Sequence, residues 1–220
     1  MQMYRRSLVA LVAAVLALGA GAASAIRLDN WDSYPSGTLD LSGVWRAYPG
    51  EPKFKHAPAI VRDGGRPALA LETEGEAMRI GRPVKVDPLE TPWLSWEWKA
   101  MVLPDGGDVR DPRRNDQAGR VMVIFEGMRG LLYVWDTTAP VGAESRSDGL
   151  EFFQRALIVV RSGPESVGRW ERQRRNVHAD YRRIFEREPR QIKWIGLESH
   201  SNDTRTRTAV LFGGVRFEPR

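Results

Sequence analysis

The stretch Pro92-Trp93-Leu94-Ser95-Trp96-Glu97-Trp98 places three tryptophans in seven residues of a chain that has eight in all. Continued to Val102 and sorted by the two-residue period of a β-strand, it divides into two rows. Leu94, Trp96, Trp98, Ala100 and Val102 make an unbroken apolar row, the pattern of a strand face turned to a core. Trp93, Ser95, Glu97, Lys99 and Met101 make a mixed row on the opposite face. Trp96 and Trp98 are therefore expected inside, since each ring buries a large apolar area. Trp93, after a proline at the strand start, is the candidate for a solvent-facing ring.

The same texture runs through most of the chain. Short runs rich in Val, Ile, Leu and aromatics, separated by Gly, Pro and Asp clusters, predict strands over 68–73, 77–80, 94–102, 120–126, 131–135, 156–161, 193–198, and 208–212 with 215–217. Gly213-Gly214 inside the last run predicts a bulge or kink. One segment breaks the pattern. Over 176–188, Val177, Tyr181 and Ile184 fall at i, i+4 and i+7, which predicts a short helix with Asn176 as N-cap and Pro189 as its stop. Eight or nine short strands, one helix and long polar loops indicate a mostly β fold. The expectation is a two-sheet β-sandwich of jelly-roll, galactose-binding-like type with one short α-helix.

Residues 1–25 read as an export signal. Arg5 and Arg6 precede an apolar run too short to span a bilayer comfortably, and Ala23-Ser24-Ala25 supplies a small-x-small cleavage pattern. A single β-sandwich domain over 26–220, periplasmic or secreted and monomeric, is the expected mature form. Removing the two arginines takes the formal charge from +5 to +3. That mild basicity, with export, argues against a nucleic-acid partner. No second stretch approaches membrane-spanning length, so no membrane span is expected after cleavage. There is no cysteine, which excludes disulfides and lipid attachment at a cysteine.

Several segments together carry a family resemblance: "LSWEWKAMVLPDGGD", "RVMVIFEG", "LLYVWDTTAPVG", "LIVVRSG", "GRWERQRRNVHADYRRIF" and "IGLESHSNDTRTRTAVLFGGVRF". The series resembles a bacterial exported family known as domain of unknown function 3047, with Arg175–Phe185 its most distinctive part. The resemblance implies a β-sandwich similar in outline to carbohydrate-binding domains, and no activity. It also implies a final loop of the form Asp-x-Asp-Asn-Thr. Here that loop reads His200-Ser201-Asn202-Asp203-Thr204, with one carboxylate, so a cation site does not carry over.

Sugar-binding sandwiches stack an exposed ring on a pyranose and bond its hydroxyls with carboxylates, amides and arginines. Trp93, Glu97 and Lys99 supply those types on the mixed row. Arg120, Glu126, Trp135, Asp136 and Glu198 stand at neighbouring strand positions. An amphipathic outer sheet face needs the same residue types, and that plainer reading stands beside the first. Arg175, Asn176 and Asp180, where arginines meet a helix start, form a second candidate cluster suited to an anion. Its structural alternative is a capped helix whose arginines pair with the aspartates of the polar loop 103–119. Those aspartates are spaced unlike a calcium loop and lie among three arginines, so a salt-bridged loop is expected. The scattered histidines predict no metal site, and no cofactor is expected. The expected function is a non-catalytic binding module for a glycan or anionic cell-envelope polymer. The alternatives are a carbohydrate-active hydrolase using two of Glu97, Glu126, Asp136 and Glu198, or a protein-protein interaction module of the envelope.

Overall fold

A computed structural model describes residues 24–48, 53–147 and 153–220. The expected export signal lies outside these residues except for its last two positions. In chain order the strands are β1 (Ile26–Arg27), β2 (Gly37–Thr38), β3 (Arg46–Ala47), β4 (Ala59–Asp63), β5 (Arg66–Glu74), β6 (Ala77–Val86), β7 (Trp93–Val102), β8 (Gly119–Phe125), β9 (Arg129–Asp136), β10 (Glu144–Ser147), β11 (Gln154–Ser162) and β12 (Glu171–Asn176). Helix α1 (Val177–Phe185) follows, then β13 (Ile192–His200) and β14 (Arg207–Glu218). One sheet runs β12-β7-β14-β5-β4-β2, with β1 also on β14, and the other runs β10-β11-β9-β8-β13-β6-β3. We refer to them as the β7 sheet and the β8 sheet. All described pairings are antiparallel except β9 with β11. Among the described residues the architecture is a two-sheet jelly-roll β-sandwich with one α-helix.

The two rows of β7 fall as their parity predicts. Leu94, Trp96, Trp98 and Ala100 are fully buried. Trp96 meets Trp98 edge-on at 5.4 Å and stacks on Tyr133 of β9 at 5.3 Å, while Trp98 lies 5.8 Å from Trp135 of β9. Because β7 and β9 belong to different sheets, these rings bridge the sandwich and hold its layers together. The expected interruption of β14 is a bulge within one continuous strand. Its register against β7 shifts between Gly213 and Arg216. Gly214 has φ +63°, and a Cβ there would lie 2.5 Å from the Glu97 carboxylate, so the position favours glycine twice over.

Helix α1 starts where predicted. The Asn176 side chain accepts a hydrogen bond from the Ala179 N–H at 2.9 Å, and Val177, Tyr181 and Ile184 are buried. It ends sooner than the proline requires, at Glu186 in the left-handed region with φ 53°. Six of the described strands escaped the sequence pattern, the short β1, β2, β3 and β10 together with β4 and β12. β4 is five residues long, and β12, Glu-Arg-Gln-Arg-Arg-Asn, has no apolar residue at all. β12 forms because it is the edge partner of β7, where the ladder and not an apolar face holds it. The partners expected for the arginines of this segment need correction. Arg172 and Arg174 pair with Glu218, and Arg175 grips Asp180 with two nitrogens, at 2.7 and 3.0 Å. The loop aspartates pair locally instead, Asp108 with Arg110 and Asp111 with Arg113, because residues two apart in a tight turn meet first.

Candidate functional site

The residues singled out from the sequence do not converge on one place. Trp93, Glu97 and Lys99 share the outer face of the β7 sheet, and each is engaged there. The Arg174 guanidinium lies 3.9 Å from the centre of the Trp93 ring. Glu97 pairs with Arg66, which covers Trp170 at 4.3 Å. Lys99 donates to both oxygens of Asp63 at 3.0 Å, and the Trp170 indole N–H reaches Asp63 at 2.7 Å. Glu126 is a surface carboxylate within 3.6 Å of Arg190 and 3.9 Å of Lys193. Trp135 is fully enclosed in the core, its indole N–H donating to the Gly163 carbonyl, so its ring is out of reach of a ligand. Arg175, Asn176 and Asp180 hold the helix. Asp180 accepts from Arg175 and, at 2.9 Å, from the Tyr133 hydroxyl beneath it.

Asp136 is the one that leads elsewhere. It is buried and accepts from the backbone N–H groups of Val109, Thr138 and Ala139 and from the Gln117 side chain. Burial raises its pKa against the pull of those donors. Through Val109 and Gln117, Asp136 ties the polar loop 103–119 across one end of the β8 sheet. The loop is thus anchored, and its Val109, Pro112 and Asn115 become one wall of a groove over the outer face of that sheet.

The register of the β8 sheet places the groove floor. On β6, β13 and β8, Arg79, Glu198 and Arg120 stand directly opposite one another. The next outward-facing positions along the same strands are Gly81, Gly196 and Met122. A Cβ at Gly196 would lie 2.3 Å from the Tyr48 hydroxyl, and one at Gly81 2.2 Å from the Trp194 indole nitrogen. On β9, a Cβ at Gly130 would lie 3.1 Å from the Phe153 ring. Glycines on three strands of this sheet therefore let three half-buried rings lie close on it. Tyr48 and Trp194 meet edge-on at 5.7 Å. The groove has two ends that share Arg79 and Arg155. One, of about 260 Å³, is flanked by Tyr48, Met122, Ile124 and Phe153. The other, of about 350 Å³, is basic and takes Arg120, Arg146, His200, Asn202 and Asp203.

Burial and charge set the protonation states here. Arg120, Glu198 and His200 are all nearly inaccessible. His200 Nε2 lies 3.0 Å from Glu198, and the Arg120 guanidinium approaches Glu198 at 4.0 Å. Desolvation, then the Arg120 charge, pushes His200 down to about 3, so the ring is neutral at pH 7. For Glu198 burial works upward, but the His200 hydrogen bond and the charges of Arg120 and Arg79 outweigh it and keep the carboxylate ionised. Among the described residues no cluster of three or more His, Asp or Glu side chains is placed to hold a metal ion.

His200 carries a testable pH dependence. The folded chain resists protonating it, whereas an unfolded histidine takes a proton near pH 6.5. Between about pH 6.5 and 3 the unfolded state therefore binds more protons, and stability falls as pH falls. The slope from this one group is at most about 1.4 kcal/mol per pH unit. His200→Gln keeps a donor for Glu198 without a titrating ring. Its unfolding free energy, measured in urea from pH 7 to 4, is expected to fall less steeply than that of the parent. Parallel curves would mean that His200 takes up its proton in the folded chain as readily as in the unfolded one.

Arg120 and Glu198 are named in the sequence by chemical type, with no sign there that the two would meet. Arg120 is the one charged residue in the run Gly119–Phe125, where a charge needs a partner or a purpose. The glycines and rings offered no such signal, since Tyr48 and Phe153 reach the groove from loops far away in sequence.

No curated protein matches the sequence. Among solved structures, the xyloglucanase domain of NopAA, a type three effector from Sinorhizobium fredii in complex with cellobiose, is similar in fold. It has a TM-score of 0.50 and 8% identity, over 85% of this chain and 99% of that one. The family 11 carbohydrate-binding module of the cellulosomal cellulase Lic26A-Cel5E of Clostridium thermocellum matches with a TM-score of 0.45 and 12% identity, over 84% and 95%. The endo-1,4-beta-glucanase CelB2 matches with a TM-score of 0.44 and 9% identity, over 90% and 100%. At these identities the likeness is one of fold. The sequence itself is matched by a family model over residues 50–216, and the chain belongs to that family, protein of unknown function DUF3047.

Proposed function

We propose that the protein is an exported, non-catalytic module that binds a glycan in the groove across the β8 sheet. One observation carries this reading: the half-buried rings of Tyr48, Trp194 and Phe153 lie beside the line Arg79–Glu198–Arg120 on a single sheet face. A sugar ring has an apolar C–H face suited to aromatic rings, and hydroxyls suited to charged donors and acceptors. The groove offers both within one sheet face. A sandwich of similar fold, the NopAA domain, was solved with cellobiose, which agrees with a sugar ligand for this architecture. Export rests on the Ala23-Ser24-Ala25 pattern behind an apolar run. Mass measurement of the protein recovered from the periplasm should show a chain starting at Ile26.

Calorimetric titration of the mature protein against a panel of soluble glycans tests the site. Tyr48→Ala and Phe153→Ala are each expected to weaken binding about tenfold, a loss of about 1.4 kcal/mol. Trp93→Ala, on the opposite outer face, is expected to leave it unchanged. The reverse pattern would move the site to the β7 face, with Glu97 and Lys99 beside Trp93. Release of sugar products during the titration would replace the binding reading with a hydrolase.

A further inference from the structure

The basic end of the groove is more specific than a neutral sugar requires. Four arginines, at 79, 120, 146 and 155, face two carboxylates, Glu198 and Asp203, with His200 uncharged between them. Two of these guanidinium groups are incompletely bonded. Arg120 is almost wholly buried, donates one nitrogen to the Asn115 carbonyl at 2.5 Å, and has a buried Nε–H with no acceptor. Arg155, opposite Gly130 where Phe153 lies, also has a buried Nε–H with no acceptor. Arginine's planar fork suits a planar carboxylate, which offers two acceptor oxygens and a full negative charge.

The geometry points to an acidic sugar: we infer that the groove binds a uronate-containing glycan, its pyranose over Tyr48 and Phe153 and its carboxylate among Arg155, Arg146 and Arg120. This rests on the proposed glycan site and narrows its ligand to one class. Three features support it. Beyond the two arginines that the ends share, one end adds Arg120 and Arg146, while the other adds Tyr48, Met122, Ile124 and Phe153. The two ends share Arg155, so one sugar unit can reach rings and guanidinium together. Arg146 stands on the exposed edge strand β10, where it can meet a charged polymer before the buried groups do.

The test compares oligosaccharides of galacturonate, glucuronate and mannuronate with the same chains after reduction of their carboxyl groups, using calorimetry on the mature protein. At least one uronate series is expected to bind about ten- to a hundredfold more tightly than its reduced counterpart, the worth of one charge-assisted hydrogen-bonded pair. Arg155→Gln is expected to remove most of that margin, weakening the uronate series about tenfold more than the reduced chains. Arg146→Gln, at an exposed position, gives a second reading that does not depend on the core. Equal affinity for uronates and reduced chains would overturn the inference while leaving the glycan site intact. No binding of any chain would end both. Inorganic sulfate that binds as tightly as the uronate would make this a plain anion site and overturn the assignment to an acidic sugar.

Discussion

Trp98→Ala is expected to lower the unfolding free energy by about 3–5 kcal/mol, whereas Trp93→Ala, five residues away on the same strand, costs no more than about 1 kcal/mol. The two rings differ in what surrounds them. Trp98 has no exposed surface and touches Trp96 on its own strand, Phe212 of β14 and Trp135 of β9. Gly119 of β8 is a close neighbour as well, for a Cβ there would lie 3.2 Å from the Trp98 ring. Truncation at 98 therefore opens a cavity between two sheets, walled by β-strands that cannot collapse into it without losing ladder bonds. Trp93 is half-buried on the outer face and covered by one arginine, so its removal forfeits one cation–π contact and some packing. Urea unfolding of the two variants checks the contrast. Equal losses would contradict the division of β7 into an inner and an outer row.

That division was legible because strand parity is rigid. A period of two leaves a residue no freedom in which face it joins, so Leu94, Trp96 and Trp98 could be placed without any knowledge of their partners. The helix was legible for a similar reason, from Val177, Tyr181 and Ile184 together with an Asn that caps. What parity cannot give is pairing. β12 forms only because β7 offers it an edge, and no property of Glu171–Asn176 announces that. The site was harder still. The residues named from the sequence were chosen by chemical type, and type says nothing about which sheet or which face a strand occupies. Glu97 and Glu198 look alike in the sequence, yet they stand on opposite outer faces of the sandwich. Asp136 was singled out for its carboxylate. The structure gives that carboxylate to three backbone N–H groups, and the consequence lies in the loop it anchors.

Glu198→Ala is expected to be as costly as the loss of a core tryptophan, about 3–5 kcal/mol, for an electrostatic reason. Glu198 is 2% exposed, and it stands between Arg79 on β6 and Arg120 on β8. The substitution takes away the nearest carboxylate of Arg120, a guanidinium that is itself enclosed. It also removes the acceptor that His200 meets at 3.0 Å. A buried charge stripped of its partner keeps its desolvation cost and loses its compensation. Glu198→Gln, which keeps the shape and one acceptor oxygen, is expected to fall between the parent and the alanine variant. The informative case is the double substitution Glu198→Leu with Arg120→Met. Replacing both members of a buried pair by apolar groups of similar volume is often neutral, so the double variant is expected to recover most of the stability lost by Glu198→Ala. Glycan binding would not recover with it, because the groove would have lost both of its central polar groups. A folded, stable and non-binding double variant, read by urea unfolding and calorimetry together, would separate the two roles of this pair. It would mean that the charges persist in the middle of an otherwise apolar sheet for the ligand they meet and not for the fold. Full stability in Glu198→Ala alone would show that Arg120 draws its compensation from elsewhere, and the line Arg79–Glu198–Arg120 would lose its standing as the centre of the site.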